Sequence, residues 1–142
     1  MEPARNPAKS INILFVEDDR YARELIPLMI SNKFPGVAII LADNGESGLE
    51  LCRANEFDIV ITDINMPDMD GIRMAGEIRG LKPDAKIIVM SGYSEKCYFD
   101  QLREIGITDY ILKPIDTKLL FLTIGKFIDQ VMLKRHRPAV IN

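Results

Sequence analysis

Five short apolar runs punctuate the chain, at residues 11–16, 37–41, 57–62, 86–90 and 109–112. All are rich in Ile and Val, and within them apolar residues mostly follow one another rather than alternate with polar ones. A strand with one wet face alternates; a continuous run belongs to a strand covered on both faces, as in a parallel sheet. Between the runs the spacing becomes helical. Ala22, Leu25, Ile26 and Met29 recur at i, i+3, i+4 and i+7, and Met74, Ile78 and Leu81 keep the same rule. So do Tyr98, Leu102 and Ile105, and then Leu120, Ile124, Phe127 and Val131. A shorter helix follows Asn44-Gly45-Glu46, with Asn44 as its cap and Leu49 and Cys52 turned inward. The order is strand then helix, five times. Such alternation implies right-handed crossovers and helices on both faces of one sheet. The expectation is a doubly wound α/β domain, (βα)5, with strand order 2-1-3-4-5. Its site should lie beyond the carboxyl ends of the strands, where the strand order reverses.

Composition narrows the picture without naming a chemistry. A chain of 142 residues with 47% apolar and 27% charged content fits one ordinary globular domain. A formal net charge of -3 argues against direct binding of nucleic acid, which normally needs a basic excess. Cys52 and Cys97 match no metal spacing or redox pair and read as reduced thiols. No apolar run is long enough to span a membrane, and no apolar core follows the N-terminus, so a cytoplasmic protein without membrane contact is expected. Residues 1–9, with Pro3 and Pro7, read as a disordered arm, residues 10–133 as the domain, and residues 134–142 as a basic tail. That tail, Lys134-Arg135-His136-Arg137-Pro138, reads either as cations at a helix's negative pole or as the start of a linker to an output domain.

The strand ends carry the candidate chemistry. The first run leads into Glu17-Asp18-Asp19. One carboxylate there can cap the next helix, but three so close repel, so a cation or a raised pKa is expected; capping and metal binding both remain open. The third run ends in Asp63, followed by Ile64-Asn65-Met66 and a turn from Pro67 to Gly71. The fourth leads to Ser91-Gly92, and the fifth to Lys113-Pro114, where a cis peptide bond would suit a tight exit. Singly, each residue is an ordinary turn, cap or solvated charge. Together they are metal-binding carboxylates, a nucleophilic carboxylate, a hydroxyl and an ammonium, all at the positions the fold designates.

These residues resemble a known family. Ile13-Leu14-Phe15-Val16-Glu17-Asp18-Asp19, Asp58 through Asp63 to Gly71, Val89-Met90-Ser91-Gly92 and Tyr110-Ile111-Leu112-Lys113-Pro114 closely resemble CheY-like receiver domains of two-component response regulators. The likeness runs from about Ser10 to Val131 and implies the flavodoxin-like fold. It implies that Asp63 is the phosphoacceptor, and that Mg²⁺, with Mn²⁺ as a substitute, is held by Asp18, Glu17, Asp63 and the backbone carbonyl of Asn65. It further implies that Ser91 and Lys113 contact the phosphoryl group, that Ser91 and Tyr110 form the switch, and that Asn65 and Tyr93 tune the phosphoryl lifetime. The implied partners are a histidine kinase or phosphotransfer protein as donor, and an output domain or protein met through the fourth helix, fifth strand and fifth helix. The resemblance also allows a phosphorylation-dependent dimer. Three departures stand out: Glu-Asp in place of Asp-Asp, Pro27 inside the first helix, and Ile115 where many members have Phe.

The expected protein is a switch rather than an enzyme with turnover, catalysing only its own phosphorylation and dephosphorylation. A phosphatase of the haloacid-dehalogenase type also uses an Asp after a strand with Mg²⁺. It needs a second Asp two residues on as general acid, and Asn65 occupies that place.

Overall fold

The computed structural model describes residues 10–66, 69–92, 98–107 and 109–136. The arm at residues 1–9, Pro67 in the turn, Tyr93, Cys97 and the tail beyond His136 lie outside the described residues.

Ten elements alternate along the chain: β1 (Ile11–Val16), α1 (Arg20–Lys33), β2 (Val37–Ala42), α2 (Gly45–Ala54), β3 (Ile59–Asp63), α3 (Gly71–Leu81), β4 (Lys86–Ser91), α4 (Phe99–Glu104), β5 (Asp109–Leu112) and α5 (Thr117–His136). The five strands form one sheet in the order β2-β1-β3-β4-β5, all neighbours parallel. The fold is the doubly wound, flavodoxin-like one expected from the alternation of strands and helices.

Alternate residues of the central strands feed two separate cores. Leu14, Val16, Val60, Ile87 and Val89 pack on one face against residues of α2, α3 and α4. Ile13, Phe15, Ile59, Ile61, Ile88, Met90 and Ile111 pack on the other against α1 and α5. Burial on both faces is why these strands read as unbroken apolar runs. The edge strand β2 differs, for Ile40 and Leu41 stand 41% and 44% exposed beyond the cover of the helices.

Helix N-termini follow their sequence signals. Asp19, Asn44 and Asp70 accept from the backbone N–H of Ala22, Ser47 and Arg73 at 2.9, 2.8 and 2.8 Å, each satisfying one unpaired donor of the first turn. The faces that helices bury are less regular than their spacing suggests. In α1 the buried residues are Pro27 and Ile30, while Leu25, expected inward, is exposed, as are Tyr21 and Leu28. Leu81 in α3 likewise lies outward, and Ala75 takes a buried place. In α4 only Leu102 is buried; Tyr98 and Ile105 are its caps. Spacing alone cannot tell which of two apolar stripes meets the sheet. α5 runs on through Lys134, Arg135 and His136, the first residues assigned to the tail. There Arg135 donates to both carboxylate oxygens of Asp58 at 2.9 Å, and Lys134 pairs with Asp84 at 2.9 Å.

One contact ties the fold to the strand end of interest. Gly71 opens α3, and its N–H donates to the carbonyl of Ile64 at 2.8 Å. A Cβ at Gly71 would lie 2.1 Å from the carbonyl oxygen of Asp63 and 2.8 Å from the Cα of Ile64. Both obstacles are backbone, so no side-chain rotation relieves the clash. Gly71→Ala is therefore expected to destabilise the domain by about 2 kcal/mol or more, whereas Gly80→Ala, with nothing within 4 Å, should gain up to about 1 kcal/mol from helix propensity. Urea denaturation of the two variants beside wild type checks both signs.

Candidate phosphoacceptor and metal site

The carboxyl ends of β1, β3 and β5 bring four side chains together. Oxygen atoms of Glu17, Asp18 and Asp63 lie within 4.8 Å of one another. Lys113, just past β5, places Nζ 2.7 Å from Asp63 Oδ2 and 3.5 Å from Glu17 Oε1. The Lys113–Pro114 peptide is cis, as expected of this exit, and the Lys113 N–H donates to the Ser91 carbonyl at 2.8 Å.

The acidic triplet after β1 divides its labour. Asp19 caps α1, so the capping reading holds for that residue. Glu17 and Asp18 belong to the cluster, one buried and the other exposed. The Arg23 guanidinium donates to the carbonyls of both Glu17 and Asp18 at 3.0 Å, fastening this loop from the first turns of α1. Asp63 is buried at the last position of β3, and Thr62 Oγ1 donates to its carbonyl at 2.9 Å. The Asn65 N–H reaches Asp63 Oδ1 at 3.4 Å, while its side chain faces solvent. Arg23 went unnoticed in the sequence, and Gly71 was read only as the end of a turn. Arg23 contributes through a long-reaching head group that no local pattern reveals; the Pro67 to Gly71 turn was visible, but the closeness of its glycine to Asp63 was not.

Ser91 ends β4, on the strand beside Asp63, and is fully buried. Tyr110 stands apart from the carboxylates. Its ring stacks on Phe99 of α4 at 4.5 Å, and its hydroxyl donates to the carbonyls of Ile107 and Phe99 at 2.8 and 3.3 Å.

Electrostatics make this cluster unusual. Burial, and next the negative Asp63 beside it, push the Glu17 carboxyl up to about 7; Lys113 opposes the shift without cancelling it. Burial disfavours the charge of Lys113, yet its hydrogen bond to Asp63 and the two nearby carboxylates outweigh burial and hold its pKa above the ordinary value. Among the described residues, three buried side-chain atoms have no hydrogen-bond partner: Glu17 Oε1, Ser91 Oγ and Arg79 Nε. Buried polar atoms normally find partners, and two of these three belong to the same corner of the fold.

Comparison with known proteins gives this corner a family. The sequence profile of the response regulator receiver domain matches residues 13–124. The chain belongs to this family. The receiver domain is 32% identical over 132 residues to the transcriptional regulatory protein ZraR of Escherichia coli K12, covering 92% of this chain and 30% of that protein. It is 32% identical over 119 residues to the probable C4-dicarboxylate response regulator DctR of Bacillus subtilis, covering 84% and 53%. The chain thus spans about a third to a half of the length of these two curated relatives. A crystal structure of the N-terminal domain of a Wolinella succinogenes protein superposes with a TM-score of 0.80 at 37% identity, covering 88% of this chain and 99% of that one. A CheY-like receiver domain from Methanospirillum hungatei gives 0.77 at 26% identity, covering 88% and 98%.

Receiver domains bind Mg²⁺ in an acidic pocket, and the residues here fit that ion. Mg²⁺ takes oxygen ligands, usually one or two carboxylates with several waters. This receiver domain offers three carboxylates within reach of one another, including a buried Glu17 oxygen without a hydrogen bond. No helix among the described residues is long and apolar enough to cross a membrane.

The raised Glu17 carboxyl has a consequence for stability. Between its ordinary value of 4.5 and about 7, the folded protein keeps a proton that the unfolded chain has lost. In metal-free buffer this group should therefore lower stability as pH rises through that window, with the full cost present above it. Urea midpoints at pH 5 and pH 7.5 check this: wild type should lose more across the interval than Glu17→Gln. Equal losses in the two proteins would contradict the assignment.

Proposed function

We propose that this chain works as the phosphoacceptor of a two-component system: Asp63 takes a phosphoryl group from a histidine kinase or phosphotransfer protein, and the domain changes conformation to control a partner. The single observation that carries this reading is the buried Asp63 carboxylate held 2.7 Å from Lys113, beside Glu17 and Asp18 at the ends of adjacent parallel strands. An Asp63 oxygen attacks the phosphorus of a phosphohistidine. The P–N bond breaks, its electron pair returns to the imidazole nitrogen, and the product is an acyl phosphate on Asp63. Such transfer is mostly positioning and charge stabilisation, because negative charge spreads over the phosphoryl oxygens. Lys113 supplies one positive charge to those oxygens, and the buried Ser91 hydroxyl supplies one hydrogen bond. Mg²⁺, held by Glu17, Asp18, Asp63 and the Asn65 carbonyl, would neutralise the remaining charge at this carboxylate corner. The position two residues after Asp63, where a haloacid-dehalogenase phosphatase carries its second Asp, is Asn65.

Switching requires the phosphorylated form to make contacts that the unmodified one lacks. A nearly complete shift of a two-state equilibrium takes about 5.5 kcal/mol, and two or three charge-assisted hydrogen bonds of roughly 1.5–3 kcal/mol each are of that size. The unpartnered Ser91 hydroxyl gains a bond outright, while Lys113, already 2.7 Å from Asp63, exchanges that carboxylate for the more highly charged phosphoryl oxygens. Tyr110 on β5 stacks on Phe99 of α4, which supports α4, β5 and α5 as the surface that reports the change to an output domain or protein. The name of ZraR, a transcriptional regulatory protein, suggests transcriptional output elsewhere in that protein, and the same is open to the protein that carries this domain.

Incubation with Mg²⁺ and acetyl phosphate, read by intact mass, should add one phosphate to wild type and none to Asp63→Ala. A gain that persists in Asp63→Ala, or is missing from wild type, would contradict the assignment. In amide NMR spectra, phosphorylation should move resonances of Phe99, Leu102 and Tyr110 as well as those around Asp63, and Ser91→Ala should be phosphorylated with the distant shifts reduced. Shifts confined to the neighbourhood of Asp63 would leave the domain without a switch.

A further inference from the structure

Away from the carboxylate corner, a groove runs between the end of α1 and the outer flank of α5. Its floor is aromatic: Phe34 meets Phe121 edge to face, with ring centroids 6.1 Å apart. There is open space at Gly125, where a Cβ would stand 3.9 Å from the Phe34 ring, in ordinary contact. Leu122 and Leu133 line the side and are 72% and 73% exposed. The groove has a volume of about 790 Å³. Large apolar side chains held in water on a helix flank beside an open groove mark a contact surface.

Charge indicates the occupant. Lys33, Lys118 and Lys126 line the groove against one carboxylate, Asp129. Lys126 is engaged with Asp109 at 2.9 Å, whereas no ion pair among the described residues involves Lys33 or Lys118. The surface is therefore locally basic on a chain whose net charge is -3. A second copy of the same face would set lysines against lysines, which disfavours a symmetric pair. An amphipathic helix lays apolar side chains at i, i+3, i+4 and i+7 into such a groove, and acidic residues beside its stripe would meet the lysines. We propose that this groove docks a helix of a partner protein that carries Leu or Phe anchors flanked by Asp and Glu. Phosphotransfer chemistry plays no part in it, so the site is independent of the role given to Asp63.

A synthetic helical peptide of Leu and Glu at amphipathic spacing, and its counterpart with Lys for Glu, provide the probes. Titrated into the full isotopically labelled chain, the Glu peptide should move the amide resonances of Leu122, Gly125 and Leu133, and its fluorescence anisotropy should report an affinity that falls with added salt. Lys118→Glu should weaken the Glu peptide by about tenfold and strengthen the Lys peptide. Gly125→Gln, which fills the groove at a helix position and should fold with an unchanged urea midpoint or a higher one, should abolish the groove shifts. Equal binding of the two peptides, or shifts elsewhere with Leu122 and Gly125 still, would overturn the proposal. So would a wild-type dimer in sedimentation that Gly125→Gln converts to monomer, because the groove would then hold a second copy.

Discussion

Crowding of negative charge at the carboxyl ends of the strands is the constraint around which this domain is organised. Two unit charges about 4 Å apart at an effective dielectric of about 20 repel by about 4 kcal/mol, and here three carboxylates share such a space with one ammonium. The chain accommodates the repulsion in several ways. Asp18 stays in water, Lys113 leans on Asp63, and Glu17 holds on to its proton to near neutrality. Arg23 meanwhile binds the carbonyls of the acidic loop, adding positive charge beside it without entering the cluster. In the proposed reading, this corner is where a cation binds and where a phosphoryl group would bring acceptor oxygens to Lys113 and Ser91.

The sheet makes that corner stiff where positioning matters. β1 and β3 are buried from both faces, and the turn after Asp63 is pinned by the approach of Gly71 to the backbone. β5 is different. It is a four-residue edge strand with one fully buried residue, Ile111. Lys113 follows its end, while Tyr110 within it stacks on the short helix α4. A displacement of Lys113 therefore acts on an element with few core contacts, and in the proposed reading this is where a chemical event at Asp63 becomes a change of surface. The α1 and α5 side has its own core and its own exposed groove, which gives the domain a second surface whose chemistry does not draw on the carboxylates.

How much of this was readable beforehand differs by residue. The five strands, their order and the helix cap Asn44 were legible, because burial on both faces leaves unbroken apolar runs and because a cap acts over three residues. The helix faces were less so. Of the Ala22, Leu25, Ile26 and Met29 stripe, Ala22, Ile26 and Met29 are partly buried and Ile26 packs on the core, whereas Leu25 joins Tyr21 and Leu28 on a second apolar stripe that faces water. α4 proved shorter than its apolar spacing suggested, with only Leu102 fully inside.

The sequence by itself determined the alternation of elements, the presence of Glu17, Asp18, Asp63, Ser91 and Lys113 at strand ends, and the family resemblance that those residues carry together. Each signal is local, since a run, a cap or a motif is contained in a few consecutive residues. Only the tertiary structure decided that Asp19 serves α1 while Glu17 and Asp18 serve the cluster, that Lys113 stands within 2.7 Å of Asp63 across a separation of fifty residues, and that Arg23 braces the acidic loop. Distances between remote side chains, and the loss of water that moves the Glu17 carboxyl, arise from packing five strands side by side, and no window of sequence contains them.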